Sequence, residues 1–142
     1  MLVWKPCLHL GVRVLDTHHQ RLIAIANEVI AATGATAPRA EVLEKLHALF
    51  GFTAWHFKFE EDLMVETGYQ DNTGHSEQHG ELLDQLKRLV EQIDRGSPRM
   101  LESAKTFSFL GNWVTRHIQL TDRPLAAHLL DRGWDPVRDN PI

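Results

Sequence analysis

Apolar side chains return at helical intervals through four separate stretches of the chain, with charged and polar residues between them. The first stretch runs over Leu22, Ile23, Ile25, Ala26, Val29 and Ile30. Asp16, just ahead of it, reads as an N-cap, because a short carboxylate accepts the unpaired amide hydrogens of a first helical turn. Thr33-Gly34 ends this helix, and an Ala/Thr/Pro loop leads to Pro38. The second stretch, roughly 39–67, is the longest; Val42, Leu46, Leu49, Phe50, Phe57, Leu63 and Met64 recur at three-, four- and seven-residue steps, the spacing of one helix face. Gly68 supplies a left-handed stop, and the turn-rich segment 69–74 follows it. A third helix is predicted from about Asn72 or Thr73 to Arg95, with Leu82, Leu83, Leu86, Leu89, Val90 and Ile93 as its stripe and Gly96 closing it. Ser97-Pro98 pairs an N-cap with proline at the first helical position. The fourth helix that starts there carries Leu101, Ala104, Phe107, Leu110, Trp113, Val114, Ile118 and Leu120 before Pro124.

Four amphipathic helices joined by short connections must run antiparallel to their sequence neighbours. The expected fold is all-α: an up-down-up-down antiparallel four-helix bundle. The first fifteen residues, with Pro6 and Gly11 and little periodicity, read as an N-terminal arm lying over it. Residues 1–125 form the expected domain, and 126–142 a short C-terminal extension, part helical and part irregular. No alternating strand pattern, internal repeat or low-complexity tract interrupts this picture.

Composition narrows the function classes. With 43% apolar and 24% charged residues in 142, the chain has ordinary globular composition. A net charge of −4 argues against a nucleic-acid partner, which calls for clustered Lys and Arg. No apolar run is long enough for a membrane span, and the N-terminus lacks the basic-then-apolar pattern of a secretory signal. A single cysteine, Cys7, makes no internal disulfide and suits a cytoplasmic location. The outlying number is nine histidines.

Their positions give that number meaning. Residues four apart on a helix lie on one face. His56 and Glu60 form such a pair on the second helix, and His75 and His79 on the third. His19 stands near the start of the first helix, and His117 on the fourth precedes Asp122 by five residues. Five regular helical steps leave two side chains about 140° apart. Pro124, however, deprives the helix of the N–H that would bond the Leu120 carbonyl, so a widened turn is expected to bring Asp122 back to the face of His117.

Burying five imidazoles and two carboxylates without partners costs several kcal/mol per group, roughly, and a metal centre removes that cost. Seven donors are too many for one tetrahedral zinc. Imidazole and carboxylate without thiolate suit iron, manganese or zinc better than copper(I). Two metals bridged by Glu60 and Asp122 would use all seven.

These residues give the chain a resemblance to the hemerythrin family, in its single-domain bacterial form. The segments that carry it are Gly11-Val12, Leu15-Asp16-Thr17-His18-His19-Gln20, His56 to Met64, Gly68-Tyr69, His75-Ser76-Glu77-Gln78-His79 and Trp113 to Asp122, covering about residues 1 to 125. The resemblance implies two non-heme iron ions with an oxo or hydroxo bridge. His75, His79 and His117 would ligate one iron, His19 and His56 the other, with Glu60 and Asp122 bridging. It further implies that O₂ binds reversibly at the position left open on the two-histidine iron, for carriage, storage or sensing. Leu22, Phe57, Trp113, Val114 and Ile118, close to those ligands in sequence, are the expected wall of a dry O₂ pocket. Two positions depart from the family pattern: Val114, where leucine is common, and Leu125, where tyrosine is common.

His9, His47 and His128 are expected to be bystanders. His18 diverges from His19 by about 100° and so cannot share its iron, although it can stand behind a ligand. Glu61 is expected to be solvated or behind a ligand, and Cys7 to be a small residue of the arm or core. The rival to a non-enzymatic O₂-binding protein is a di-iron enzyme, an oxidase, peroxidase or nitric-oxide-handling protein; a zinc or iron store is the third class. Oxidases of the ferritin-like type need two Glu-x-x-His motifs, and this chain has one, Glu44 to His47, away from the ligand row. A separate protein partner and the oligomeric state stay open.

Overall fold

The computed structural model describes residues 1–35, 37–96, 103–135 and 140–141. A short 3-10 turn, Pro6–Leu8, is followed by helices α1 (Arg13–Gly34), α2 (Arg39–Thr67), α3 (Asn72–Asp94) and α4 (Ser103–Arg116). A wide π turn, His117–Asp122, then leads directly into α5 (Arg123–Asp131). The expected start of the fourth helix at Ser97-Pro98 lies outside the described residues. Helix α1 packs against α2 and α4, and α2 against α3, which is the expected antiparallel four-helix bundle. Leu22, Leu46, Leu49, Leu86, Ile93, Leu110 and Ile118 are among the fully enclosed side chains along its axis. Among the described residues, no helix is long and apolar enough to cross a membrane.

The ends of α2 and α3 follow from local chemistry. Gly68 adopts φ 68° and ψ 38°, a left-handed conformation that glycine reaches without a Cβ clash. The Tyr69 amide then reaches back to the Met64 carbonyl at 2.9 Å, satisfying an acceptor the helix end would leave open.

Three expectations change. Asp16 is not an N-cap: α1 begins at Arg13 behind Val12, and Asp16 lies inside its first turn. Its carboxylate instead accepts from the amides of Leu10 at 2.8 Å and Gly11 at 3.1 Å, so it clamps the arm. Side-chain oxygens compete for whichever amides stand nearest, and here those belong to the arm.

The helix also does not stop at Pro124. The Arg123 amide bonds the Ile118 carbonyl, five residues back. The widened ladder lets a new helix start with Pro124 in its first turn, where a missing N–H costs little. Helix α5 then runs across the 125/126 boundary and buries Leu125, Ala126 and Leu129. Finally, Leu120 is 64% exposed and not part of the apolar stripe; it lies within the wide turn, which breaks the regular spacing that assigned it to that face.

The arm is tied along its length. Leu2 exchanges two backbone hydrogen bonds with the Asn27 side chain, at 2.8 and 2.9 Å. Leu8, Leu10 and Val12 are buried beneath it, and Arg123 donates to the Cys7 carbonyl. Cys7 itself is exposed. Past α5, Trp134–Asp135 pairs antiparallel with Asn140–Pro141, a contact of two residues that is too short to show as alternation in sequence.

Asp16→Ala removes a charged acceptor from two amides, an interaction of about 2 kcal/mol. Urea unfolding is expected to show a lower midpoint with an unchanged slope, and an unaltered midpoint would show that the clamp contributes nothing.

Candidate metal centre

Seven side chains converge inside the bundle, towards the end where α1 and α3 begin and α2 and α4 finish. Helix α1 contributes His19, α2 His56 and Glu60, α3 His75 and His79, and the π turn His117 and Asp122. All seven are buried, with none more than 4% exposed. The i, i+4 pairs point inward as their spacing requires. The wide turn does for His117 and Asp122 what a regular helix would not, placing His117 Nε2 3.0 Å from Asp122 Oδ1.

The carboxylate oxygens divide between two groups of imidazoles. On one side, Glu60 Oε1 is 3.0 Å from His79 Nε2 and 3.4 Å from His75 Nε2. Asp122 Oδ1 is 3.0 Å from the Nε2 atoms of both His75 and His117. On the other side, Glu60 Oε2 is 3.3 Å from His56 Nε2, and Asp122 Oδ2 is 2.8 Å from His19 Nε2. Each carboxylate thus offers one oxygen to a three-histidine group and one to a two-histidine group. Within each group the donor atoms all lie within 4.8 Å of one another, as the ligands of one ion must.

These close contacts are not aligned as hydrogen bonds. The five Nε2 atoms and the four carboxylate oxygens are buried without a hydrogen-bond partner. Leaving so many strong acceptors unpaired in a dry interior is prohibitive for a polar cluster on its own. Cations between them satisfy every one, so the donor set fits a pair of metal ions.

The electrostatics follow from the same crowding. Burial pulls His19 and His75 down, but the facing Asp122 and Glu60 carboxylates outweigh it and raise both to about 9. Burial wins at His79 and lowers it. Burial also pushes Glu60 up, and the surrounding imidazoles, His56 foremost, hold it well below the usual carboxylate range. Asp122 is held low in the same way, with His117 and His19 overcoming both burial and the charge of Glu60.

Four of the five expected pocket residues line one narrow apolar gap: Leu22, Phe57, Trp113 and Val114, together with Leu82 and His117. It is too tight to admit a water-sized sphere. Ile118 is buried in the core but does not line it. Leu82 was missed, although it lies three residues after His79 and shares its face. Phe57 stacks flat on His79, with ring centroids 3.8 Å apart. Trp113 donates from Nε1 to the Leu82 carbonyl at 3.1 Å, joining α4 to α3. Outside this joint lies a polar cleft of about 360 Å³, with Gln78, Trp113, Arg116 and His117 in its walls.

Behind the donors stand residues that spacing alone did not assign. Gln78 accepts from Thr121 and lies 3.4 Å from His117 Nδ1. Glu61, partly exposed, approaches His79 Nδ1 to 3.9 Å. His18 meets His56, their Nδ1 atoms 2.9 Å apart. Of the expected bystanders, His9 and His47 are exposed. His128 bonds the carbonyl and hydroxyl of Thr67, pinning α5 to the end of α2.

Because His19 and His75 are raised to about 9, protons and cations compete for the same nitrogens. In protein stripped with a chelator, a raised imidazole contributes stability that is complete below pH ~6.5 and lost as pH rises through about 9. Stability of the stripped protein is therefore expected to fall across that interval while its affinity for divalent cations rises. Denaturant titrations and calorimetry at several pH values measure the two; parallel trends would contradict the electrostatic picture.

A family description, "Hemerythrin HHE cation binding domain", matches residues 10–129, a span that contains all seven converging side chains. The chain is 32% identical to a bacteriohemerythrin of Stenotrophomonas maltophilia, over 91% of its own length and 84% of the other. A bacteriohemerythrin of Pseudomonas aeruginosa is 31% identical over 85% of this chain and 76% of its own. One from Methylococcus capsulatus is 29% identical, with coverages of 80% and 84%. A bundle with these donors at its centre, matched along nearly its whole length, belongs to the hemerythrin family.

Proposed function

We propose that this protein holds two iron ions and binds O₂ reversibly, as a carrier, store or sensor and not as an enzyme. The observation that carries the reading is the unequal division of donors. Glu60 and Asp122 each give one oxygen to His75, His79 and His117 and the other to His19 and His56. An ion on the two-histidine side has one protein ligand fewer, and so one more position for a small exogenous ligand. Imidazole and carboxylate donors without thiolate suit iron. Two irons held there supply the electrons that reversible O₂ binding withdraws and returns.

The chain's own residues set the conditions for reversibility. The carboxylates of Glu60 and Asp122 offset the charge of the cations, so the interior carries less net charge than four positive units. Leu22, Phe57, Leu82, Trp113 and Val114 make the adjoining space apolar and too narrow for water, which keeps protons and competing ligands away from the donors. Phe57, stacked on His79, holds that imidazole in one orientation. Val114 lines this space with a side chain smaller than leucine, and Leu125 is wholly buried, so no phenol hydroxyl enters from that position. The cleft outside Trp113 and Leu82 reaches His117, on the three-histidine side, from solvent.

The test is to load the protein with iron(II) under argon, admit air, and follow the visible spectrum. A charge-transfer band that persists and disappears on degassing is expected. Prompt conversion to a ferric product with release of superoxide or peroxide would favour defence or catalysis, and an absence of colour would defeat the iron reading. Independently, His79→Ala is expected to bring bound iron below two ions per chain by elemental analysis; full occupancy would mean that His79 is not a ligand.

A further inference from the structure

The contact between His18 and His56 carries more than proximity. His18 follows Thr17 on α1, one residue before His19, and its ring packs against α2. Its Nδ1 lies 2.9 Å from His56 Nδ1. The ring has three aromatic neighbours on α2. Trp55 and Phe59 have centroids 4.8 Å away, and Phe52 is edge-on at 6.4 Å. The three recur on one face of α2 at three- and four-residue steps, so the box is built into the helix. Trp55 is half-exposed at 54%, while the imidazole of His56 is completely buried.

A hydrogen bond between two imidazole nitrogens needs one protonated and one bare atom. His56 Nε2 faces Glu60 Oε2 and has no hydrogen-bond partner of its own. For that nitrogen to hold a cation, its lone pair must be free, so the ring proton belongs on Nδ1. The only arrangement consistent with both is that His56 Nδ1–H donates and His18 Nδ1 accepts, with the proton of His18 on its Nε2. The opposite assignment would put the proton of neutral His56 on Nε2 and close the donor.

We propose that His18 is a positioning residue for the two-histidine side of the centre: held by Phe52, Trp55 and Phe59, it accepts from His56 Nδ1–H and so fixes the tautomer and ring plane in which His56 Nε2 binds a metal ion. This rests on the two-cation reading above. His18 sets the neutral partner of one imidazole, whereas the three-histidine side has the Gln78 amide oxygen near His117 and the Glu61 carboxylate near His79. An amide acceptor and a neutral ring raise ligand basicity unequally, so the two sides differ behind their ligands as well as in ligand number.

The test uses the full-length protein loaded with iron(II) under argon, then mixed with excess chromophoric chelator. Release is expected in two phases, the two-histidine side leaving first. His18→Phe, which fits the aromatic box but accepts nothing, is expected to speed the first phase by about 10- to 100-fold and leave the second unchanged. His18→Gln, whose amide oxygen can accept, is expected to stay close to wild type. If wild type takes up fewer than two irons, the two-cation reading fails and this proposal with it. If wild type holds two irons but His18→Phe releases both at unchanged rates, only the role of His18 is overturned. Equal damage from Phe and Gln, or acceleration of both phases, would mean simple packing and also overturn it. As a readout independent of iron, ¹⁵N-histidine spectra of the zinc(II)-loaded protein are expected to show a protonated His56 Nδ1 coupled across the hydrogen bond to a bare His18 Nδ1. A proton on His18 Nδ1 would overturn the assignment.

Discussion

Two carboxylates buried among five imidazoles constrain everything else in this protein. Charge in a low-dielectric interior is tolerated only when its partners are close and well placed. Here the partners come from each of the main helices in turn, so the bundle cannot relax around one defect without disturbing another donor. Glu60 and Asp122 are each divided between two groups of nitrogens. That ties α2 and the π turn to both sides of the centre at once. The apolar layers above and below fill space; the central layer dictates rotation, register and depth of each helix.

The surroundings serve that layer in two ways. Packing makes it dry, through the flat stack of Phe57 on His79 and the narrow cavity bounded by Leu22, Leu82 and Val114. Polar contacts meet it from outside, Gln78 on the outward nitrogen of His117 and His18 on that of His56, with the Glu61 carboxylate 3.9 Å from His79 Nδ1. The arm and α5 then close the fold around these supports. Asp16 holds the arm to the start of α1, and His128 holds α5 to the end of α2.

Much of this could be read from the sequence, for a definite reason. Regular helices turn sequence spacing into direction, so Val42, Leu46 and Leu49 announced a buried face, and His75 with His79 a shared target. Gly68 marked a helix end because few other residues accept its conformation. Where direction depended on something other than spacing, reading was harder. Asp16 had the residue type and position of a cap, but the amides nearest its carboxylate belong to the arm. Leu82 looked like any core leucine, because an apolar stripe does not distinguish a cavity wall from a filled layer. His18 was set apart from His19 by angle, yet only the placement of α2 reveals that the same angle aims it at His56. Pro124 signalled irregularity without saying that the helix would widen and continue. The start expected for the fourth helix at Ser97-Pro98 lies outside the described residues.

The wide turn from His117 to Asp122 gives this short segment an unusual relation to its own sequence. In a regular helix the loss or gain of one residue rotates everything beyond it by about 100°. Here the turn already contains one residue more than a regular helix would use, and the donors at its two ends share a target only because of that surplus. Wound as a regular helix, the same residues would bring Thr121, four steps from His117, to the centre in place of Asp122. The exposed Leu120 can differ in kind far more readily than the wide winding can be lost. The segment is defined by its winding rather than by its spelling.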